Sequence, residues 1–156
     1  MKNIWIAALS ACLLLAGCSD DDTKISGGGG GGGDGGSESA KYAGTYKGTV
    51  TTKAESSSVG SASDTSDMTL VIHKDGTVTF TVEGESVTGA ITGNKFNIPF
   101  KIEWSEKLVT CKGNLVVSGT VSGTNISGPV SGTGSCKAAG ASTSVKVTGN
   151  LSGRKV

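Results

Sequence analysis

The sequence predicts an all-β domain, an eight-stranded antiparallel up-and-down β-barrel, behind an N-terminal segment that cannot fold. From Lys41 onward the chain is rich in Thr, Ser, Val and Gly and has almost no helical periodicity, which favours short strands. Eight strands in up-and-down order leave the first and last antiparallel, so that they can pair and close the sheet. A two-sheet sandwich is the alternative, and a solenoid is disfavoured because the Ser-Gly and Thr-Gly pairs are irregularly spaced.

Residues 1–17 are predicted to be a lipoprotein signal peptide. Lys2 precedes an apolar run, Ile4–Ala16, that is shorter than the ~20 residues a membrane-spanning helix needs. The following "LAGC", Leu15–Cys18, resembles the lipobox of bacterial lipoproteins. Cys18 is therefore expected to carry the lipid that anchors the protein to a membrane, the alternative being an ordinary signal peptide with a chance cysteine.

Residues 18–40 are predicted to be a lipidated, acidic and glycine-rich flexible tether. The acids of Ser19–Asp22 resemble the export signal of surface lipoproteins in gut-dwelling Gram-negative bacteria, which implies a lipid-anchored outer-membrane protein exposed at the cell surface. A solvated spacer is the alternative. Gly27–Gly36, interrupted only by Asp34, should behave as a coil, and it lacks the Lys-Ser/Thr ending of a phosphate-binding loop.

Charge divides the chain in the same way. Residues 19–40 carry five acids and one lysine, a net charge of −4, whereas residues 41–156 carry twelve Lys/Arg and eight acids, a net charge of +4. The basic residues are scattered and few aromatics accompany them, so nucleic acid is not an expected partner. We expect a monomeric barrel domain over residues 41–156.

The middle hairpins are predicted from alternation and turn chemistry together. Apolar residues alternate at Met68, Leu70, Ile72 and again at Val78, Phe80, Val82. The loop Lys74–Gly76 between them has three residues with glycine last, as such hairpins prefer. Gly84–Glu85 and Gly93–Asn94 are predicted as glycine-first two-residue turns, and Pro99 in the next strand requires a bulge or an unpaired position.

The last predicted hairpin turns at Gly123–Thr124, after a four-residue connection at Trp104–Lys107. This register places Cys111 opposite Cys136, and a disulfide there would contribute roughly 3 kcal/mol. Two free thiols or a metal pair is the alternative, and a turn at Thr124–Asn125 would leave the cysteines diagonal.

The first and last strands are predicted at Tyr42–Thr52 and Ser144–Gly153. Several glycines fall on the inward face and should permit sharp coiling or bring backbones close together. They are Gly89, Gly113, Gly119, Gly128, Gly132, Gly134 and Gly149.

"GTYKGTV", Gly44–Val50, opening such a pattern behind a lipobox, resembles the small calycin-like (lipocalin-like) β-barrel lipoproteins of gut bacteria. Calycins carry Gly-x-Trp on the first strand and an Arg or Lys on the last, packed across the Trp to seal the barrel. The resemblance implies that Tyr46, a departure from Trp, and Arg154 form this barrel-closing pair by stacking.

No catalytic or metal site is predicted, and neither an enzyme nor a cofactor is expected. The single histidine, His73, should be exposed beside the Lys74–Gly76 turn. No local motif indicates a nucleophilic triad.

Two hypotheses for function follow. The first, favoured by the resemblance, is binding of a small apolar or amphipathic ligand inside the barrel. Its pocket candidates are Tyr46, Phe80, Phe96, Phe100, Ile102 and Trp104. The second is an adhesin-type interaction protein with a filled barrel, acting through the loops Ala54–Ser66 and Lys137–Thr143.

Overall fold

The computed structural model describes residues 24–27, 36–57, 60–106, 109–138 and 140–156 and confirms the eight-stranded antiparallel barrel. A short strand precedes the barrel at Lys24–Gly27, here called β1. The barrel strands are β2 (Gly44–Ser56), β3 (Gly60–Ile72), β4 (Thr77–Val82), β5 (Glu85–Thr92), β6 (Lys95–Glu106), β7 (Val109–Ser122), β8 (Asn125–Ala138) and β9 (Ala141–Lys155).

The barrel closes as expected. Each of β2 to β9 pairs antiparallel with its neighbours in sequence, and β2 also pairs with β9, with Val50 opposite Leu151. We call the end with the β3–β4, β5–β6 and β7–β8 turns and the C terminus the short-turn end. The opposite end is the disulfide end.

Strict alternation puts one face of every strand into a single core. Its largest fully buried side chains include Tyr46, Phe80 and Phe96, all in the short-turn half. The inward positions of β2 and β3 in the disulfide half are small or polar instead, for example Ala54 and Ser56. The interior is therefore filled by large aromatic side chains at the short-turn end, whereas at the disulfide end the part lined by β2 and β3 is small or polar.

Most of the predicted turns are confirmed. Gly76, Gly93 and Gly123 have the positive φ angles those turns require, and Val121 lies opposite Ile126. The prediction of a Gly84–Glu85 turn is wrong by one residue.

The β4–β5 turn is Glu83–Gly84. Both residues have positive φ, 51° and 89°, which is the type I′ geometry that matches strand twist. This register sets Phe80 opposite Val87, so both side chains are buried.

Several strands are longer than predicted. β2 and β3 pair from Ser56↔Gly60 onward, so most of the expected loop Ala54–Ser66 is strand. Likewise β8 and β9 pair as far as Ala138↔Ala141, and Trp104 pairs with Cys111. The expected connections Lys137–Thr143 and Trp104–Lys107 are thus mostly strand too. Ser, Thr and Ala there give no hydrophobic alternation, yet their backbones pair normally.

Inward glycines let adjacent backbones approach, as the sequence suggested. A side chain at Gly128 would overlap the Ser118 carbonyl and the Gly119 backbone. Gly119 makes room for the Phe96 ring, since a Cβ there would lie 2.5 Å from Phe96 Cζ. Such contacts allow the tight coiling of a narrow barrel.

The tether prediction for residues 18–40 needs correction at two places. Lys24–Gly27 pairs antiparallel with Phe100–Glu103 of β6. A short helical segment, α1 (Gly36–Ser39) followed by a 3-10 turn (Ala40–Tyr42), precedes β2. The pairing of Lys24–Gly27 with β6 depends on backbone hydrogen bonds and needs no apolar run, so the composition of residues 18–40 did not predict this strand. In the described ranges, no helix is long and apolar enough to cross a membrane.

Candidate functional site

The proposed pocket residues lie in a packed core. Tyr46, Phe80, Phe96 and Phe100 are each 1–3% exposed, and Ile102 is 6% exposed. A ligand-sized cavity between them would leave their side chains accessible to water. The side chain of Trp104 lies outside the described residues.

A void does lie inside the barrel at the disulfide end. It measures about 30 Å³ and is lined by Ile102, Leu115, Val147 and the two cysteines. That is room for about one or two water molecules. The predicted disulfide is confirmed: Cys111 and Cys136 are bonded directly across the β7–β8 pair.

The predicted barrel-closing pair is wrong in its cation. Inward positions of β9 are odd-numbered, so Arg154 points outward and is exposed. Lys155 lies over Tyr46 instead, with Nζ 5.8 Å from the ring centroid, and it donates a hydrogen bond to the Ala43 carbonyl (2.6 Å).

Tyr46 is fixed at its other end as well. Its buried hydroxyl donates to the Tyr42 carbonyl at 2.8 Å. Burial, and secondarily the neighbouring Tyr42, raises the pKa of the Tyr46 hydroxyl. Together with the lysine, this closes the short-turn end.

At the disulfide end, strand pairing among the described residues is interrupted in one part of the barrel wall. The β4–β5 hairpin is short: β4 covers β3 only over Met68–Ile72, and β5 covers β6 only over Lys95–Asn97. We call the uncovered region, between Gly60–Asp67 of β3 and Ile98–Glu106 of β6, the wall gap. β1 fills the β6 side of this gap, and no described strand covers the β3 side.

Pro99 lies on β6 at the corner of the wall gap that is nearest the short-turn end. The Val121 N–H donates to the Asn94 carbonyl at 2.8 Å, so even-numbered β6 residues hydrogen-bond β7 and odd-numbered ones face β5. Position 99 therefore faces the point between the last β5 pair, at Asn97, and the first β1 pair, at Phe100. This is the unpaired position that the sequence allowed for, and no bulge interrupts the β6–β7 register.

The β3 side of the wall gap is a sheet edge with which no strand of the described ranges pairs. The His73 N–H donates to the Thr77 carbonyl at 2.8 Å, which makes odd-numbered β3 residues the ones that face β4. The β2–β3 register is continuous, so the backbone N–H and C=O groups of Ser61, Ser63 and Thr65 point into the gap. Such an edge is a template for another strand.

Carboxylates concentrate around this edge. Asp67 and Asp64 lie on β3, Glu83 on the β4–β5 turn and Glu85 next to it. Asp67, Glu83 and Glu85 are exposed, and Glu83 accepts a hydrogen bond from the Ser66 hydroxyl (3.2 Å). Residues 41–156 contain eight acids in all, and these four lie on or beside the β3 side of the wall gap.

Asp64 faces the barrel interior, opposite buried Thr52. Its Oδ2 atom is buried and has no hydrogen-bond partner among the described residues. A buried carboxylate oxygen without a donor is costly. Nearby, the Ser56 and Thr143 hydroxyls hydrogen-bond each other at 2.9 Å, so polar side chains line this part of the interior.

His73 and Asp75 lie at the β3–β4 turn, at the opposite end of the barrel from the wall gap. His73 is exposed, as expected, with Nε2 3.1 Å from the Thr79 hydroxyl. The Thr77 N–H, which donates to Asp75, lowers the pKa of that carboxyl. Within the described ranges, no three His, Cys, Asp or Glu residues lie close enough to hold a metal ion.

Sequence reasoning missed the wall gap and the acidic edge. The signal in the sequence was unequal strand length. Turn residues lie at both ends of the short strands β4 and β5, whereas β3 and β6 continue past the positions where that hairpin ends. Cys18, the predicted lipidation site, lies outside the described residues. Comparison with protein-family models, with curated proteins and with solved structures finds no match for this chain.

Proposed function

We propose that the protein is a lipid-anchored, surface-exposed binding module that acts through the outside of a filled barrel rather than through an interior pocket. The observation that carries this proposal is the closure of the core. Five of the six pocket candidates have described side chains, and each of these is at most 6% exposed. Pockets for small molecules usually measure roughly 300–1,000 Å³, far more than the void of about 30 Å³.

The outer surface is suited to polar rather than apolar contacts. Strand residues that face outward are mostly Ser, Thr, Lys and Asn, as in Thr49, Ser131 and Lys146. Of the side chains that the structure describes, Val156 is the one large apolar group that is exposed. Recognition would then depend on hydrogen bonds, backbone pairing and charge.

The anchor belongs to the same proposal. β1 runs antiparallel to β6, so Lys24 is the β1 residue nearest the disulfide end. Five residues lie between Cys18 and Lys24, and the six residue steps span at most about 20 Å. With β1 paired to β6, a lipid on Cys18 holds the disulfide end near the membrane. The residues between Cys18 and the barrel then separate the barrel from the membrane by less than the full length of residues 18–40 would allow.

The interior claim can be tested with a fluorescent polyene fatty acid titrated into the mature chain carrying Cys18→Ser. We expect no saturable binding, because the core is packed. One-to-one binding with a Kd below about 10 μM that is lost in Ile102→Trp would contradict the proposal. Phe100→Ala with benzene serves as the positive control, since it creates an apolar cavity.

The anchor claim needs a separate experiment in cells. Cys18→Ala should release the protein from the membrane fraction, and protease added to intact cells should cleave the wild-type protein. Retention of Cys18→Ala in membranes, or full protection from the protease, would contradict the anchored, surface-exposed assignment.

A further inference from the structure

We propose that the open edge of β3, Gly60–Asp67, binds an extended, lysine-rich polypeptide segment of a partner protein as an added β-strand. The inference deepens the proposed function, because it names the class of partner and the part of the outer surface that binds it. Addition of a strand to an open sheet edge is a common mode of peptide recognition, in which backbone hydrogen bonds provide affinity and side chains provide specificity.

The register of β3 directs backbone groups into the wall gap. Ser61, Ser63 and Thr65 direct their N–H and C=O groups into the wall gap, and no described strand pairs with them there. Because the side chains of these residues are exposed and small, a strand can approach the edge. β1 occupies only the β6 side of the wall gap, so the β3 side remains accessible.

The charges along this edge favour a basic segment. Asp67, Glu83 and Glu85 form an exposed acidic border along this edge, in a domain with a net charge of +4. Asp67 and Glu85 have no ion-pair partner within the described ranges. Lys53 lies on the neighbouring strand β2, and its Nζ atom already forms an ion pair with Glu55 Oε1 at 2.6 Å. Complementary charge would favour association with a lysine-rich strand and disfavour an acidic one.

Asp64 defines one position of the added strand at which a lysine is favoured. Its N–H and C=O face β2, so a residue of the added strand opposite it would lie in a non-hydrogen-bonded pair, with Cβ atoms roughly 4.5–5.5 Å apart. An inward lysine at that position would approach the Oδ2 atom that now has no donor. Lysines on the outward face of the strand would lie near Asp67. Alternating lysines on both faces therefore fit this edge.

The test uses a fluorescein-labelled decapeptide, VTKKTKKVTV, whose lysines lie on both faces of an extended strand, and the mature chain carrying Cys18→Ser, with binding followed by fluorescence anisotropy. We expect saturable binding that weakens with salt and is at least tenfold weaker for the acidic analogue VTEETEEVTV. Ser63→Pro removes a backbone donor that faces the gap and should weaken binding about fivefold or more. The matched control Ser63→Ala keeps that donor and should bind like the wild type.

A second pair of variants tests the charge argument. Asp67→Asn combined with Glu85→Gln should weaken binding and reduce its salt dependence. Asp75→Asn, which removes a carboxylate at the opposite end of the barrel, should do neither.

Absence of saturable peptide binding, or equal affinity for Ser63→Pro and Ser63→Ala, would overturn the inference. So would a dimer of the wild-type chain, seen by sedimentation, that dissociates in Ser63→Pro, because the edge would then bind a second copy. These outcomes are independent of the fatty-acid titration, which alone decides whether the interior is filled. Failure of the peptide assignment is thus distinguishable from failure of the proposed function.

Discussion

The two ends of this barrel differ in packing, polarity and closure. At the short-turn end, Tyr46 and Phe96 fill the interior, Lys155 lies over the Tyr46 ring, and continuous pairing encloses the core. At the disulfide end, the interior holds Thr52 and Ser56, and the wall is interrupted beside β3. One chain of repeated Ser, Thr and Gly thus makes a half that is closed by continuous pairing and a half in which no described strand pairs with the outer edge of β3.

The large aromatic side chains of the core and the unpaired edge of β3 thus lie at different positions along the barrel axis. Burial of large apolar side chains contributes most of the favourable free energy of folding. The small and polar interior of the disulfide end contributes less, and a covalent cross-link holds β7 to β8 there. Weaker packing at that end leaves it free to keep an open sheet edge.

The largest expected effect is truncation of an aromatic side chain at the short-turn end. Phe96→Ala should lower the free energy of unfolding by about 3–5 kcal/mol, because it leaves a cavity in the packed half. Urea denaturation measures this loss. A size-matched pair, Val78→Ala and Val147→Ala, compares the two ends directly, and a larger loss at Val147 would contradict the assignment of stability to the short-turn end.

The next effect concerns the cross-link. Replacing both Cys111 and Cys136 with Ala should lower stability by roughly 3 kcal/mol, since the bond constrains the unfolded chain. Mass spectrometry should also find the two residues in one linked peptide. If a reducing agent leaves the urea midpoint of the wild-type protein unchanged, the disulfide does not stabilise its end of the barrel.

Glycine substitutions should separate the two halves at a smaller scale. Gly128→Ala places a Cβ against the Ser118 backbone and should destabilise the barrel by about 1–3 kcal/mol. At Gly113, near the disulfide, a Cβ would lie 3.1 Å from the Thr133 carbonyl oxygen, so the alanine variant should be tolerated better. Equal thermal midpoints for the two variants would remove this contrast.

The smallest effect tests which cation closes the short-turn end. Lys155→Met should cost about 1 kcal/mol, because it removes the hydrogen bond to Ala43 and the contact with the Tyr46 ring. Arg154→Ala should change the urea midpoint little, since that side chain is exposed. The reverse order would restore Arg154 as the closing residue.

Much of the fold could be predicted because turn residues and apolar alternation limit the register together. The Gly123–Thr124 turn fixed the pairing that brings Cys111 opposite Cys136, and both were confirmed. The odd-numbered inward positions of β9, such as Val145 and Leu151, would also have excluded Arg154 as an inward residue. That error came from the family resemblance, which suggests a residue type for the last strand but does not say whether the position faces inward or outward.

Other features carried no such signal. β3 extends through Gly60–Asp67, where Ser and Asp replace apolar residues, so pairing there depends on backbone hydrogen bonds that any sequence can make. β1 formed in a segment rich in glycine for the same reason. The candidate site lies where β3 and β6 extend beyond the short β4–β5 hairpin, and β1 covers only the β6 side. It is a consequence of relative strand lengths rather than of any sequence motif.

Residue-resolved amide hydrogen exchange of the mature chain carrying Cys18→Ser tests the comparison between the ends most directly. We predict slow exchange for Thr69 and Val71, which face β4, and fast exchange for Ser61, Ser63 and Thr65, which face the wall gap. Ala62 and Asp64, whose backbone groups face β2, should exchange slowly between these fast neighbours. Uniform protection along β3 would contradict an open edge, and with it the proposed division of the barrel into a packed half and a binding half.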